Sequence, residues 1–124
     1  MKEVSEMEYL KLLQTGNIAN LDHYLKTHDV NEEINTQSLL YWAVYENNLT
    51  FMQRLIHHGV DINKKDKLGR TALHIAYYFG FYDIAKFLLQ YGAVADTACF
   101  ERASSGWDGH YQSEIIELLR EYVQ

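Results

Sequence analysis

Six histidines and one cysteine are the residues in this chain best suited to chemistry: His23, His28, His57, His58, His74, His110 and Cys99. Each pattern they form can be weighed by its spacing. His57 and His58 are adjacent, and neighbours on a helix point in different directions, so they make a poor chelating pair. With one cysteine and no acid-rich set beside them, no zinc site is expected. Cys99 and His110 are of the right types for a nucleophile and its base. The run Gly106-Trp107-Asp108-Gly109 has the wrong spacing for either phosphate-cradling glycine motif. The acidic residues Glu32-Glu33 and Glu114/Glu117 read as a loop and a solvated helix face. The expectation is therefore no catalytic, metal or cofactor-binding residues and no enzyme. A small enzyme using Cys99 and His110 is the last of three readings.

The elements that carry these residues repeat. Ser38-Leu39-Leu40-Tyr41-Trp42-Ala43-Val44-Tyr45 aligns with Thr71-Ala72-Leu73-His74-Ile75-Ala76-Tyr77-Tyr78 at an offset of 33 residues. The register continues without a gap: Leu55 falls on Leu88, Gly59 on Gly92 and Asn63 on Asp96. An earlier copy runs from Gly16-Asn17-Ile18 to Asp29-Val30-Asn31, with a trimmed turn. A degraded copy begins at Thr97-Ala98-Cys99-Phe100, where Cys99 falls on the core position Leu73. It resumes at Glu114-Ile115-Ile116 after an irregular link. Such periods mark stacked repeats.

Each copy contains two helical patterns. In the third, Thr71 is an N-cap ahead of Leu73 and Ala76, and Gly80 is a stop. Ile84, Ala85, Leu88 and Leu89 then recur at helical spacing until Gly92. No alternating strand pattern of useful length appears, so an all-α fold is expected.

The segment Asp66-Lys67-Leu68-Gly69-Arg70-Thr71-Ala72-Leu73-His74-Ile75-Ala76, with Leu88-Leu89-Gln90-Tyr91-Gly92-Ala93, resembles the ankyrin repeat signature. Ala72 departs from it, since the family usually has proline there. Tyr41 and Trp42 depart from it in the second copy. The resemblance implies a solenoid of antiparallel helix pairs with projecting hairpin-like fingers at Asn31–Gln37 and Asp61–Arg70, and a reduced or absent finger near Asp96. First helices should line a concave face and second helices a convex back. It implies one domain over 1–124. This comprises an N-terminal capping repeat (1–33), two repeats (34–66 and 67–96) and a degenerate C-terminal capping repeat (97–124). At the family's structural histidine position, His74 is expected to satisfy backbone groups.

Ankyrin proteins bind with finger positions and the ends of first helices. By register these are Gln37, Tyr45 and Glu46, then Lys67, Leu68, Arg70, Tyr78 and Phe79, with Tyr91 before a closing glycine. Tyr45, Tyr78 and Phe79 form the expected anchor set. Trp107 is read as a plug for the C-terminal cap or, failing that, as a second binding anchor. The run Gly106 to His110 resembles a capping segment of small bacterial ankyrin proteins, some of which look like immunity proteins.

Charge narrows the partner. Eleven Lys and Arg face seventeen Asp and Glu, a net charge of −6. That field disfavours nucleic acid and favours a protein with a basic patch, with Glu46 near the proposed surface. The cluster Lys64, Lys65, Lys67 and Arg70 is interrupted by Asp61 and Asp66 and reads as a solvated loop. No apolar run of about 18 residues is present, so no membrane span is expected. The charged start and lone cysteine fit a cytoplasmic protein. The expectation is a monomeric, non-catalytic binding module, in one version an immunity protein neutralising a toxin. The alternative is an adaptor or inhibitor of an endogenous or host protein.

Overall fold

Local capping signals set where the helices start and stop. A computed structural model describes residues 2–104 and 113–122. Among them are eight helices and one two-stranded hairpin, divided between two units, Met1–Asp61 and Ile62–Gln124.

In the first unit, α1 (Lys2–Thr15) packs on α2 (Ile18–Tyr24), and α2 packs on α4 (Leu49–His57). Helix α3 (Leu39–Tyr45) pairs with α4. Asn17, Ser38 and Asn48 each stand just before a helix, and each side chain accepts a backbone N–H three residues on. Those bonds satisfy donors that a helix N-terminus leaves open. The core gathers Tyr9, Leu13, Leu21, Tyr24, Leu39, Leu40, Val44, Phe51, Met52 and Leu55, all buried. The Tyr9 hydroxyl donates to the Leu39 carbonyl at 2.8 Å, so a buried phenol is satisfied at the start of α3.

The first finger, expected over Asn31–Gln37, forms a small hairpin that the all-α class accommodates. Strands β1 (Glu33–Ile34) and β2 (Gln37–Ser38) pair antiparallel across the two-residue loop Asn35-Thr36. Both loop residues have positive φ, 51° and 69°, as a tight hairpin requires. Strands this short leave no periodic trace in a sequence. The usual Asn-Gly signal is also missing, because Thr36 stands where glycine would serve.

In the second unit, α5 (Ala72–Phe79) packs on α6 (Tyr82–Gln90) and on α7 (Thr97–Ser104). Helix α8 (Ser113–Arg120) packs on α6 and α7. Thr71 caps α5 as expected, and Gly80 ends it in the left-handed conformation at φ 73°. Leu73, Ile75, Ala76, Ile84, Leu88, Cys99, Ile115 and Leu119 are buried together in this unit's core. Near Asp96, where a reduced or absent finger is expected, α7 starts at the next residue. Trp107, His110 and the Gly106–His110 run lie outside the described residues.

Two asparagines repeat one role. Asn31 Oδ1 accepts the Asp61 N–H at 2.6 Å. Asn63 Oδ1 accepts the Val94 N–H at 2.8 Å, and its Nδ2 donates to the Gly92 carbonyl at 3.1 Å. Each side chain ties the base of a finger to the connector about one repeat later.

Candidate functional site

The strongest cluster of chemically capable groups is His74, Asp96 and Cys99, whose potential ligand atoms all lie within 4.8 Å of one another. Sequence spacing brought up His74 and Cys99 separately and gave Asp96 no part. The folding of α5 against α7 makes them a trio.

The hydrogen bonds assign its job. The backbone N–H of Thr71 donates to His74 Nδ1 at 3.0 Å, so Nδ1 carries the lone pair. The proton of the neutral ring is therefore on Nε2, which donates to Asp96 Oδ1 at 3.0 Å. Binding a metal through Nε2 needs the opposite tautomer, with Nδ1 protonated and facing the Thr71 N–H. Thr71 and His74 also form a reciprocal cap, since the Thr71 hydroxyl accepts the His74 N–H. Asp96 Oδ1 further accepts the N–H of Cys99 at the start of α7. Burial alone would raise the Asp96 carboxyl, but the bonds from His74 and Cys99 outweigh it and hold it below its ordinary value.

Cys99 fares no better as a nucleophile. Reactive cysteines sit in accessible, electropositive surroundings. Cys99 is fully buried, and its side chain bonds to the Asp96 carboxylate. Tyr77 is also buried, and its hydroxyl finds no partner among the described residues. Burial, then Cys99 and Tyr122, push that phenol up, away from any acid–base use near neutral pH. His57 and His58 meet edge to face at 5.9 Å, and His58 Nε2 is engaged by Asp22 Oδ1 at 2.9 Å. Asp22 also pairs with Arg54 at 3.4 Å. These contacts tie α2 to the end of α4 at the surface.

The expected binding residues divide by unit. In the first, Tyr45 is 46% exposed at the end of α3. Tyr41 lies against it at 6.0 Å and 16°, and Trp42 meets it edge to face. Trp42 itself is anchored, its Nε1–H donating to the Ile34 carbonyl of the hairpin at 2.8 Å. Gln37 is half-buried in β2, and Glu46 is exposed beyond α3.

In the second unit, Tyr78 and Phe79 end α5 and are half-buried, more covered than the family register implies. The cover is aromatic: Phe79 stacks on Phe81 at 5.5 Å and 17°, and meets Tyr78 edge to face at 5.1 Å. Tyr91 is 56% exposed and stacks on Phe87 at 4.5 Å. Lys67 and Leu68 are exposed at a turn, while Arg70 is half-buried and bonded to Asp66 at 2.8 Å.

A family model for ankyrin repeats (3 copies) matches residues 8–99. The chain belongs to the ankyrin-repeat family. Human protein phosphatase 1 regulatory subunit 27 is 29% identical to this ankyrin protein over 116 residues, covering 91% of this chain and 71% of the relative. The mouse protein of the same name matches equally. Ankyrin repeat domain-containing protein 49 of Drosophila melanogaster is 39% identical over 66 residues, which is 52% of this chain and 31% of that protein. In this ankyrin frame His74 is a structural residue that joins the cap of one helix pair to the start of the next. No helix among the described residues is long and apolar enough to cross a membrane.

Proposed function

We propose that this chain is a non-catalytic protein-interaction module that binds a protein partner through its finger turns and the ends of its first helices. The observation that carries the reading is aromatic. Tyr45 at the end of α3 and Tyr78 at the end of α5 stand at equivalent repeat positions, Phe79 follows Tyr78, and all three keep part of their surface accessible. Each is held by neighbouring rings, so little side-chain freedom remains to be lost on binding. Rigid aromatic groups are the usual hot spots of interfaces.

The human relative's name is that of a regulatory subunit of a phosphatase, which supports a role exercised through another protein. Adaptor or inhibitor of an endogenous protein is therefore the version kept, in a cytoplasmic setting that suits a lone cysteine outside any disulfide. The toxin-neutralising version draws no support from these relatives, which are animal proteins. A basic patch on the partner remains part of the reading only opposite Glu46.

The test is capture of a partner by the immobilised full chain, followed by titration of Tyr45→Ala, Tyr78→Ala and Phe79→Ala. Weakening by more than about 1 kcal/mol with unchanged helical content is expected. Wild-type affinity in all three variants would remove these helix ends from the interface.

A further inference from the structure

The turn of the second finger carries a local charge opposite to that of the chain. Between residues 64 and 70 four cations accompany one carboxylate, in a protein whose net charge is −6. That carboxylate is turned inward. Asp66 Oδ1 accepts the N–H groups of Leu68 and Arg70, each at 2.9 Å, and Oδ2 accepts Arg70 Nε at 2.8 Å. The Asp66 side chain is only 5% exposed. Its burial would raise its pKa, but these bonds hold it below the ordinary value, so it stays ionised inside the turn.

Two backbone bonds close the same turn, Asp66 N–H to Arg70 carbonyl at 2.9 Å and Gly69 N–H to Asp66 carbonyl at 3.0 Å. Gly69 supplies the positive φ of 77° that the closure needs. The turn is thus pre-formed and presents its remaining side chains outward. Lys65 and Lys67 are exposed, and among the described residues no ion pair engages either. Between them and the glycine stands Leu68, 75% exposed, the most exposed large apolar side chain among the described residues.

We infer that this turn is a recognition tip for an acidic protein segment that carries an apolar side chain. The two lysines meet carboxylates, and Leu68 packs on the apolar group between them. Both halves of the match are needed. A nucleic acid would offer phosphates to the lysines but nothing apolar to Leu68. Two lysines would also neutralise only about two phosphates, and phosphate neutralisation supplies essentially all of non-specific nucleic-acid affinity. The pre-formed backbone lowers the ordering cost, as recognition by a small area demands. This inference rests on the protein-binding reading above and names the partner chemistry for one part of that surface.

The test is selection of short random peptides displayed on phage against the immobilised full chain, with binding of the winners measured by fluorescence anisotropy. Winners rich in Asp and Glu around a Leu, Ile or Phe are expected. Their affinity should fall roughly tenfold in Leu68→Asp and in the double variant Lys65→Glu/Lys67→Glu, and should weaken with added salt. Three results overturn the inference: no winner at all, winners without acidic enrichment, or acidic winners indifferent to both variants. Stronger binding to phosphatidylserine vesicles or duplex DNA than to any winner also overturns it. If the captured partner loses affinity on Tyr78→Ala but not on Leu68→Asp, this inference fails while the broader reading stands. If Leu68→Asp, Tyr45→Ala, Tyr78→Ala and Phe79→Ala all leave the affinity unchanged, both fail.

Discussion

Replacing His74 by leucine isolates what the trio does. Leucine is of similar bulk and suits a buried site, so packing changes little. What is lost is polar. The Thr71 N–H, in a buried residue, no longer has Nδ1 to receive it, and an orphaned buried donor costs about 1–3 kcal/mol. The Nε2–H to Asp96 bond also goes, but Asp96 is half exposed and water replaces most of it, at a cost of about 0–1 kcal/mol. The Thr71 hydroxyl keeps its bond to the backbone N–H of residue 74, so the cap itself survives. The net loss expected is about 2 kcal/mol, seen as a lower urea midpoint at constant slope and a Tm lower by roughly 5–10 °C. Asp96→Asn should cost less, because its amide oxygen can still accept from both His74 and Cys99. Added zinc or chelator should leave the wild-type Tm unchanged, given the tautomer that Thr71 imposes. A His74→Leu protein as stable as wild type would refute the reasoning, and so would a zinc-dependent rise in Tm that vanishes in His74→Leu.

Three further outcomes follow from other contacts. Leu88→Ala truncates a fully buried side chain of α6 and should cost roughly 2–5 kcal/mol in denaturant unfolding. Thr36→Gly removes a β-branched residue from φ 69° in the first hairpin; relief of about 1–2 kcal/mol less glycine's entropy leaves a gain of up to about 1 kcal/mol, readable as a raised Tm. In acid, Asp66 and Asp96 have carboxyls held below their ordinary value of 3.8. Their contribution to stability is full above that value and is lost as pH falls through the lower folded value, so thermal melts from pH 6 down to pH 2 should show the loss below about pH 4. Asp66→Asn should flatten that fall.

Much of the fold is legible from residues a few positions apart. Thr71 before Leu73, Gly80 after Phe79 and the spacing of Ile84, Ala85, Leu88 and Leu89 each act within one or two helical turns, and the observed helix ends obey them. The 33-residue register adds the stacking, because a helix pair that cannot bury its own apolar face must share it with a like neighbour. The first hairpin left no such trace: two residues per strand are too few for a period, and Asn35-Thr36 lacks the glycine that marks tight turns.

The candidate site was legible as positions but not as surfaces. Register put Tyr45, Tyr78 and Phe79 at helix ends, while the stacking of Phe81 on Phe79 decided how much ring stays open. Lys64, Lys65, Lys67 and Arg70 read as a solvated loop interrupted by Asp61 and Asp66, and only the folded turn shows that the Asp66 carboxylate is turned inward while Lys65, Lys67 and Leu68 stay exposed.

By itself, then, the amino-acid order determined the repeat, its helices and the core positions, including Cys99 on Leu73. Tertiary structure alone joined Asp96 to His74 across 22 residues and seated Asn31 and Asn63 on connectors about 30 residues away. The reason is physical: helix caps and apolar periods are local contacts that sequence spacing encodes directly, whereas a bond between distant side chains exists only once packing has set both backbones within hydrogen-bond reach.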